Sequence, residues 1–160
     1  MPLTESQLFE FRSPHVRIPQ PEFTLLGKRH AITSHPYDAG PFIIPAGFQF
    51  DGASMPWWVW SAIRLSPFDT IVGPACGHDL LYVQCGRVRL KDGSWVTVTK
   101  AQADDYFYGR CMAENVEMSW LQERLVRRAV KVFGRYDKKR KSNCYKWNVN
   151  WLNEYNSATL

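Results

Sequence analysis

The sequence predicts an α+β fold, a single domain in which short N-terminal strands and a β-hairpin pack on three to four helices. Three stretches carry that expectation. RVRLKDGSWVTVT, residues 87–99, alternates in side-chain character on both sides of Asp92-Gly93, the pattern of two antiparallel strands joined by a tight turn. Thr99 and Gln102 then stand three apart, a capping box that opens a helix to roughly Glu114. From about Ser119 to Phe133 an apolar face of Leu121, Leu125, Ala129, Val132 and Phe133 repeats at helical spacing, and Gly134 is its stop.

The remaining elements follow in chain order. Residues 1–35 have little periodicity and several prolines, so they read as an extended N-terminal arm with short strands around Phe23 to Ile32. FIIPAGFQF (42–50) reads as an apolar strand pair bent at Pro45 to Gly47. A short helix is expected in WWVWSAIR, after Ser54 and Pro56. Pro74 suits the first turn of another helix that runs to about Gln84. Residues 36–134 form the core domain in this reading. Residues 135–160 follow as a basic segment and an aromatic tail, where Tyr145, Trp147, Val149 and Trp151 at period two predict a docked strand or an aromatic ligand platform.

Composition sets the wider limits. At 160 residues with 45% apolar side chains, the chain can bury one good core. No run approaches the roughly 18 apolar residues of a membrane span, and no basic start is joined to an apolar stretch of signal-peptide length. Synthesis in a host cytoplasm is the expectation, with incorporation in a virion as a further step. Cys76, Cys85, Cys111 and Cys144 lack the paired short spacings of a zinc ribbon and read as packed thiols. The formal charge of +5 resides in RYDKKRKSNCYK (135–146), and the rest of the chain is neutral. That run reads as a solvated tail or as a phosphate-binding patch, and it is the one place where nucleic acid is expected to bind.

The candidate chemistry lies in GPACGHDLLYVQCG. On a helix, His78 shares a face with Ala75, Leu81, Tyr82 and Cys85, and Asp79 lies about 100° further round, near the apolar half. A buried carboxylate needs a partner. In AQADDYFYGRC, Asp104 falls with Ala101, Phe107, Tyr108 and Cys111, whereas Asp105 falls with Gln102, Gly109 and Met112, so Asp104 is the inward acid. If the two helices pack across the hairpin, His78, Asp79 and Asp104 converge and Asp51 approaches from the strand end. Gly52 then lets the backbone come close, Ser54 faces the site, and Met55 and Trp57 close its rim beside Tyr82. Against this stands a structural reading, in which His78 is a hydrogen-bonded core residue while Asp51 and Ser54 only cap a turn and a helix.

IPAGFQFDGASMP, HDLLY, ADDYF and VKVFG resemble, in order and spacing, an uncharacterised family common in bacteriophage and prophage genomes. Its signature runs approximately V-P-A-G-F-x-T-D-x-A-S-(I/V)-P-R, then H-D-x-L-Y, then A-D-x-x-F. The resemblance covers about residues 40–134. It implies a viral origin and matches Asp51, Ser54, His78, Asp79 and Asp104 to polar positions of the signature, but it supplies no reaction. Trp57 stands where the signature has Arg, so a contact of that Arg with an anion is lacking here. The His-Asp-x-x-Tyr string also looks like the helix of secreted phospholipases A2, as an analogy of site design without their glycine-rich calcium loop or disulfides.

Two functions from different classes are expected. The first is a phage hydrolase acting on an ester or amide of the host envelope, with His78 as base, Asp104 as orienting group, and Asp79 and Asp51 as ligands of a divalent cation. Carboxylates with a single His favour calcium, magnesium or manganese over zinc. The second is a virion structural or tail-assembly protein whose polar cluster is structural and whose partners are other phage structural proteins.

Overall fold

The structure, a computed structural model, describes residues 1–12, 18–28, 30–51, 61, 71–113, 119–133 and 143–158. The helix expected after Ser54, the rim positions Ser54 and Trp57, Gly134 and most of the basic run lie outside these residues. The fold is a mixed α+β single domain, with short strands in small sheets and six helices among the described residues.

Helix α1 (Glu5–Arg12) occupies part of what the sequence suggested was an extended arm. Its start is a reciprocal cap. Thr4 N donates to Gln7 Oε1 at 3.0 Å, and Gln7 N donates to Thr4 Oγ1 at 3.3 Å. Its anchor is Phe11, which is fully buried and lies between the rings of Phe42 and Tyr106 at 6.0 and 5.9 Å. Short polar-rich helices of this kind show little periodicity, because one side chain makes most of the packing.

Strands β1 (Phe23–Gly27) and β2 (His30–Thr33) stand where short strands are expected and form an antiparallel pair, and β5 (Gln49–Phe50) adds to the far side of β2. β3 (Tyr37–Asp38) pairs with β4 (Ile43–Ile44) in a separate ribbon. The apolar stretch 42–50 is therefore two strands, as expected, but they pair with different partners and not with each other. The turn between them holds Gly47 at φ +90°, and Gly47 N and Phe48 O both bond to Thr33, which fixes β5 on β2.

Helix α2 (Val72–Val83) is buried at every position, which is why its faces are not divided into polar and apolar halves. It ends in a Schellman motif. Gly86 N donates to Leu81 O at 2.7 Å and Cys85 N to Tyr82 O at 3.1 Å, with Cys85 itself in the left-handed region at φ +51°. The hairpin β6 (Arg87–Arg89) and β7 (Trp95–Thr97) follows in the expected place, with Val88 opposite Val96. Its loop has three residues rather than two: Leu90 N bonds to Ser94 O, Gly93 N bonds to Leu90 O, and Gly93 takes φ +85°.

Helix α3 (Lys100–Ala113) begins with the anticipated capping box, Thr99 N to Gln102 Oε1 at 2.7 Å and Gln102 N to Thr99 Oγ1 at 3.2 Å. Helix α4 (Trp120–Phe133) has the expected length, and its inner face keeps Ala129 and the half-buried Leu125 of the expected one but is rotated away from Leu121 and Val132. Val126, Ala129 and Val130 are buried against Ile71, Ala75, Phe107 and Cys111, while Leu121 and Val132 are 59% and 62% exposed. Burying the Leu121 edge would have dragged Arg124 and Arg128 towards the core, and the Val126 edge carries no arginine.

The expected C-terminal strand is corrected to two helices, α5 (Asn143–Trp147) and α6 (Val149–Ser157). Cys144, Asn148, Leu152 and Tyr155 are the buried positions, at spacings of four and three, so helical period overrides the period-two aromatics. This tail closes over β5 through Asn148. Asn148 donates to Gln49 O at 2.6 Å and accepts from Gln49 N at 2.8 Å.

Candidate functional site

The sequence of α2 has a glycine one position before its histidine, and the structure shows why. A side chain at Gly77 would collide with the Tyr106 hydroxyl and ring from α3. That close approach brings the two helices near enough for His78 and Asp104 to meet. His78 Nε2 lies 3.1 Å from Asp104 Oδ1. His78 is only 4% exposed and packs between the rings of Tyr82 and Phe107, with centroids 4.0 and 5.2 Å away.

Asp104 accepts more than this one bond. The Tyr82 hydroxyl also donates to Oδ1, and Lys100 Nζ donates to Oδ2 at 2.8 Å. Lys100 continues to the end of α4, where Val130 O and Lys131 O lie 3.4 and 3.3 Å from its ammonium. It thus joins a carboxylate to a helix C-terminus, two places where positive charge is favoured. Asp105, one residue on, instead faces outward and pairs loosely with Arg12 at 3.6 Å.

Charge and burial set the protonation states. Burial pushes the His78 pKa below its ordinary value, against the upward pull of the Asp104 carboxylate, and Lys100 adds to the lowering. Burial alone would raise the Asp104 carboxyl, but hydrogen bonds from His78, Lys100 and Tyr82 together outweigh it and leave the carboxyl below its ordinary range. At neutral pH the pair is therefore imidazole and carboxylate. An ionised carboxylate only accepts, so Nε2 carries the proton and the lone pair sits on Nδ1.

The two other expected acids stand in a second group. Asp79 Oδ2 accepts from the backbone N–H of Asp51 at 3.1 Å, tying α2 to the end of β5. The charge of Asp51 reaches His78, raising its pKa slightly, and the charge of Asp79 adds to burial in raising the Cys76 thiol. So the structure joins His78 to Asp104 directly and Asp79 to the Asp51 backbone directly. Tyr82, expected at the rim, is a ligand of Asp104. Lys100 was missed, although Lys100 and Asp104 stand four apart in sequence, the spacing of a helical ion pair. Among the described residues, no three His, Cys, Asp or Glu side chains gather closely enough to hold a metal ion. A groove of about 660 Å³ lies elsewhere, lined by Ile43, Leu90, Trp151 and Tyr155, and includes none of these residues.

Fold and site together define an α+β domain with a buried histidine–carboxylate pair between two helices. The chain belongs to a family of proteins of unknown function, DUF1353, whose model matches residues 31–130 and so spans β2, both site helices and most of α4. No curated protein and no solved structure matches it. Among the described residues, no helix is long and apolar enough to cross a membrane.

Proposed function

We propose that this protein is a bacteriophage-encoded, virion- or tail-associated hydrolase in which His78 activates water against an ester or amide of the host envelope. One observation carries the catalytic part: a neutral, nearly sealed imidazole whose Nε2 is held at 3.1 Å by the Asp104 carboxylate. The phage and virion part rests on the likeness of IPAGFQFDGASMP, HDLLY and ADDYF to bacteriophage and prophage proteins.

In this reading Nδ1 takes the proton from water, and the resulting hydroxide attacks the carbonyl carbon. Asp104 holds the tautomer and stabilises the imidazolium that forms, and Lys100 and Tyr82 hold Asp104 in place. The proton on Nδ1 is then delivered to the leaving alcohol or amine. A divalent cation on Asp79 and Asp51 would need a further ligand beyond these two acids, so no step here depends on one.

A second reading has an observation of its own. Asp104 is bonded by three donors from α2 and α3, the arrangement of a clamp that fixes two helices, which suits a non-catalytic virion or tail-assembly protein. The test compares purified parent and His78→Gln on chromogenic esters and on isolated bacterial envelope, with melting curves alongside. Turnover that falls by roughly 10² to 10⁴ in a variant that still melts cooperatively supports the dyad. Turnover equal to the parent's, or none in the parent, leaves the clamp.

A further inference from the structure

Helix α4 carries a feature that its packing does not require. Its buried edge is Val126, Ala129 and Val130, while Trp120, Arg124, Arg127, Arg128 and Lys131 are exposed. At about 100° per residue, these five fall within an arc of roughly 100° on the outward side. Four of them are cations. Arg124 with Arg128, and Arg127 with Lys131, are like charges four apart, an arrangement that weakens a helix. The like-charge spacings of the stripe therefore cost the helix a little.

Among the described residues, Arg124, Arg128 and Lys131 have no carboxylate within ion-pair distance. The Arg124 guanidinium lies over the exposed Trp120 ring at 4.8 Å, and Arg127 lies over Tyr108 at 3.6 Å. Two of the guanidinium groups are thus held against aromatic faces at the surface.

We propose that the outward face of α4 binds the phosphate backbone of duplex DNA. From Arg124 to Lys131 the stripe is roughly 10 Å long at 1.5 Å per residue. One DNA strand carries a phosphate about every 3.4 Å of axis, so the stripe faces about three of them. An anionic membrane is the less fitting partner. The exposed apolar residues Leu121 and Val132 stand roughly 16 Å apart along the axis, with Arg128 between them on the same edge, and do not form the continuous apolar face that enters a bilayer interface. The contacts proposed are to phosphate oxygens, which carry no sequence information, so the binding is to charge and not to base sequence.

The test is fluorescence polarisation of a short labelled duplex with the whole chain, between about 50 and 200 mM salt. The parent should bind, with affinity that falls linearly on a log–log salt plot. Arg124→Gln/Arg128→Gln/Lys131→Gln should weaken binding at low salt by at least about tenfold and reduce the salt slope by about 2 to 3, near 0.9 for each phosphate left without its cation. Arg124→Lys/Arg128→Lys should keep most of the affinity. A control with equal net charge, Arg12→Gln/Lys28→Gln/Arg87→Gln, should bind like the parent. All these side chains are exposed, so melting curves should match. The proposal is overturned if the stripe variant keeps the parent's affinity and slope, if the control weakens binding as much, or if the parent binds phosphatidylglycerol vesicles but not DNA. A parent that binds neither overturns it equally.

Discussion

Gly77 and Tyr106 meet across the α2–α3 interface with no room for a side chain between them, and the Tyr106 hydroxyl passes over the glycine to donate to Ala39 O at 2.9 Å. This one contact sets how closely the two helices lie, and so whether His78 can reach Asp104. Tyr106 is fully buried, and burial pushes its phenol well above the ordinary range.

Gly77→Ala should therefore destabilise the protein although alanine is the better helix former. Overpacking costs about 1 to 3 kcal/mol and a strained or broken hydroxyl bond about 1 more, against a propensity gain of at most about 1 kcal/mol. The expected net loss is about 2 kcal/mol, read from urea unfolding. Adding Tyr106→Phe removes the hydroxyl but not the ring atoms that also crowd Gly77, so it should relieve only part of the loss. Additive effects of the two changes would contradict this account.

A second expectation concerns acid. His78 has a lowered pKa, so as pH falls below about 6.5 the unfolded chain binds a proton that the folded one refuses, and stability present above that pH is lost on the way down through the folded value. Asp104 is lowered as well, and its contribution is lost further down, below about pH 4. Urea midpoints measured from neutral to acid pH should fall in two stages. His78→Gln should remove the first stage and keep the second. Parallel profiles for parent and variant between about pH 7 and 4.5 would show that His78 is not the group responsible.

Much of this was legible in the sequence, because local rules decided it. Thr99 with Gln102, Asp92-Gly93 and the long periodic run after Ser119 each state their structure within a few residues, and the helical phase of Asp104 against Asp105 separates the inward acid from the outward one. What was hidden depended on packing. Thr4 and Gln7 form the same capping box as Thr99 and Gln102, but α1 gains its place from Phe11 meeting Phe42 and Tyr106, contacts far off in sequence. The tail offered two periods at once, and the burial of Cys144, Asn148 and Leu152 decided for the helix. Within the site, the division into His78 with Asp104 and Asp79 with the Asp51 backbone is a matter of helix orientation, which periodicity alone does not specify.

The third prediction comes from the end of α2. Cys85 sits at the left-handed position of the Schellman motif, where glycine is the usual residue, while Gly86 follows it at φ +82°. A left-handed conformation costs an L-residue roughly 1 to 2 kcal/mol, and the extra freedom of glycine in the unfolded chain returns about half of that. Cys85→Gly should raise stability by about 0.5 to 1 kcal/mol, or roughly 1 to 4 °C in Tm for a chain of this size. A lower Tm would mean that packing of the thiol outweighs the strain of the backbone.

The last prediction tests how the tail is held. Asn148 is fully buried, and both ends of its amide are engaged: Nδ2 donates to Gln49 O at 2.6 Å and to Cys144 O at 2.7 Å, and Oδ1 accepts from Gln49 N at 2.8 Å. It therefore completes the edge of β5, which pairs with β2 on its other side, and it does so from the junction of α5 and α6. Asn148→Ala leaves the Gln49 N–H without this partner and its C=O with only the Cys144 thiol at 3.2 Å, at about 1 to 3 kcal/mol for an unsatisfied group, so a loss of about 2 kcal/mol is expected. Asn148→Asp keeps the acceptor for Gln49 N but places a negative charge against two carbonyl oxygens, and should be at least as damaging at neutral pH. Its stability should recover on mild acidification, when the carboxyl is protonated and can donate once more, whereas that of Asn148→Ala should not. Urea unfolding of both variants at neutral and mildly acidic pH measures this, and an alanine variant as stable as the parent would show that the tail's other contacts, such as Trp151 with Ala46 and Arg89 with Ala158, hold it without this amide.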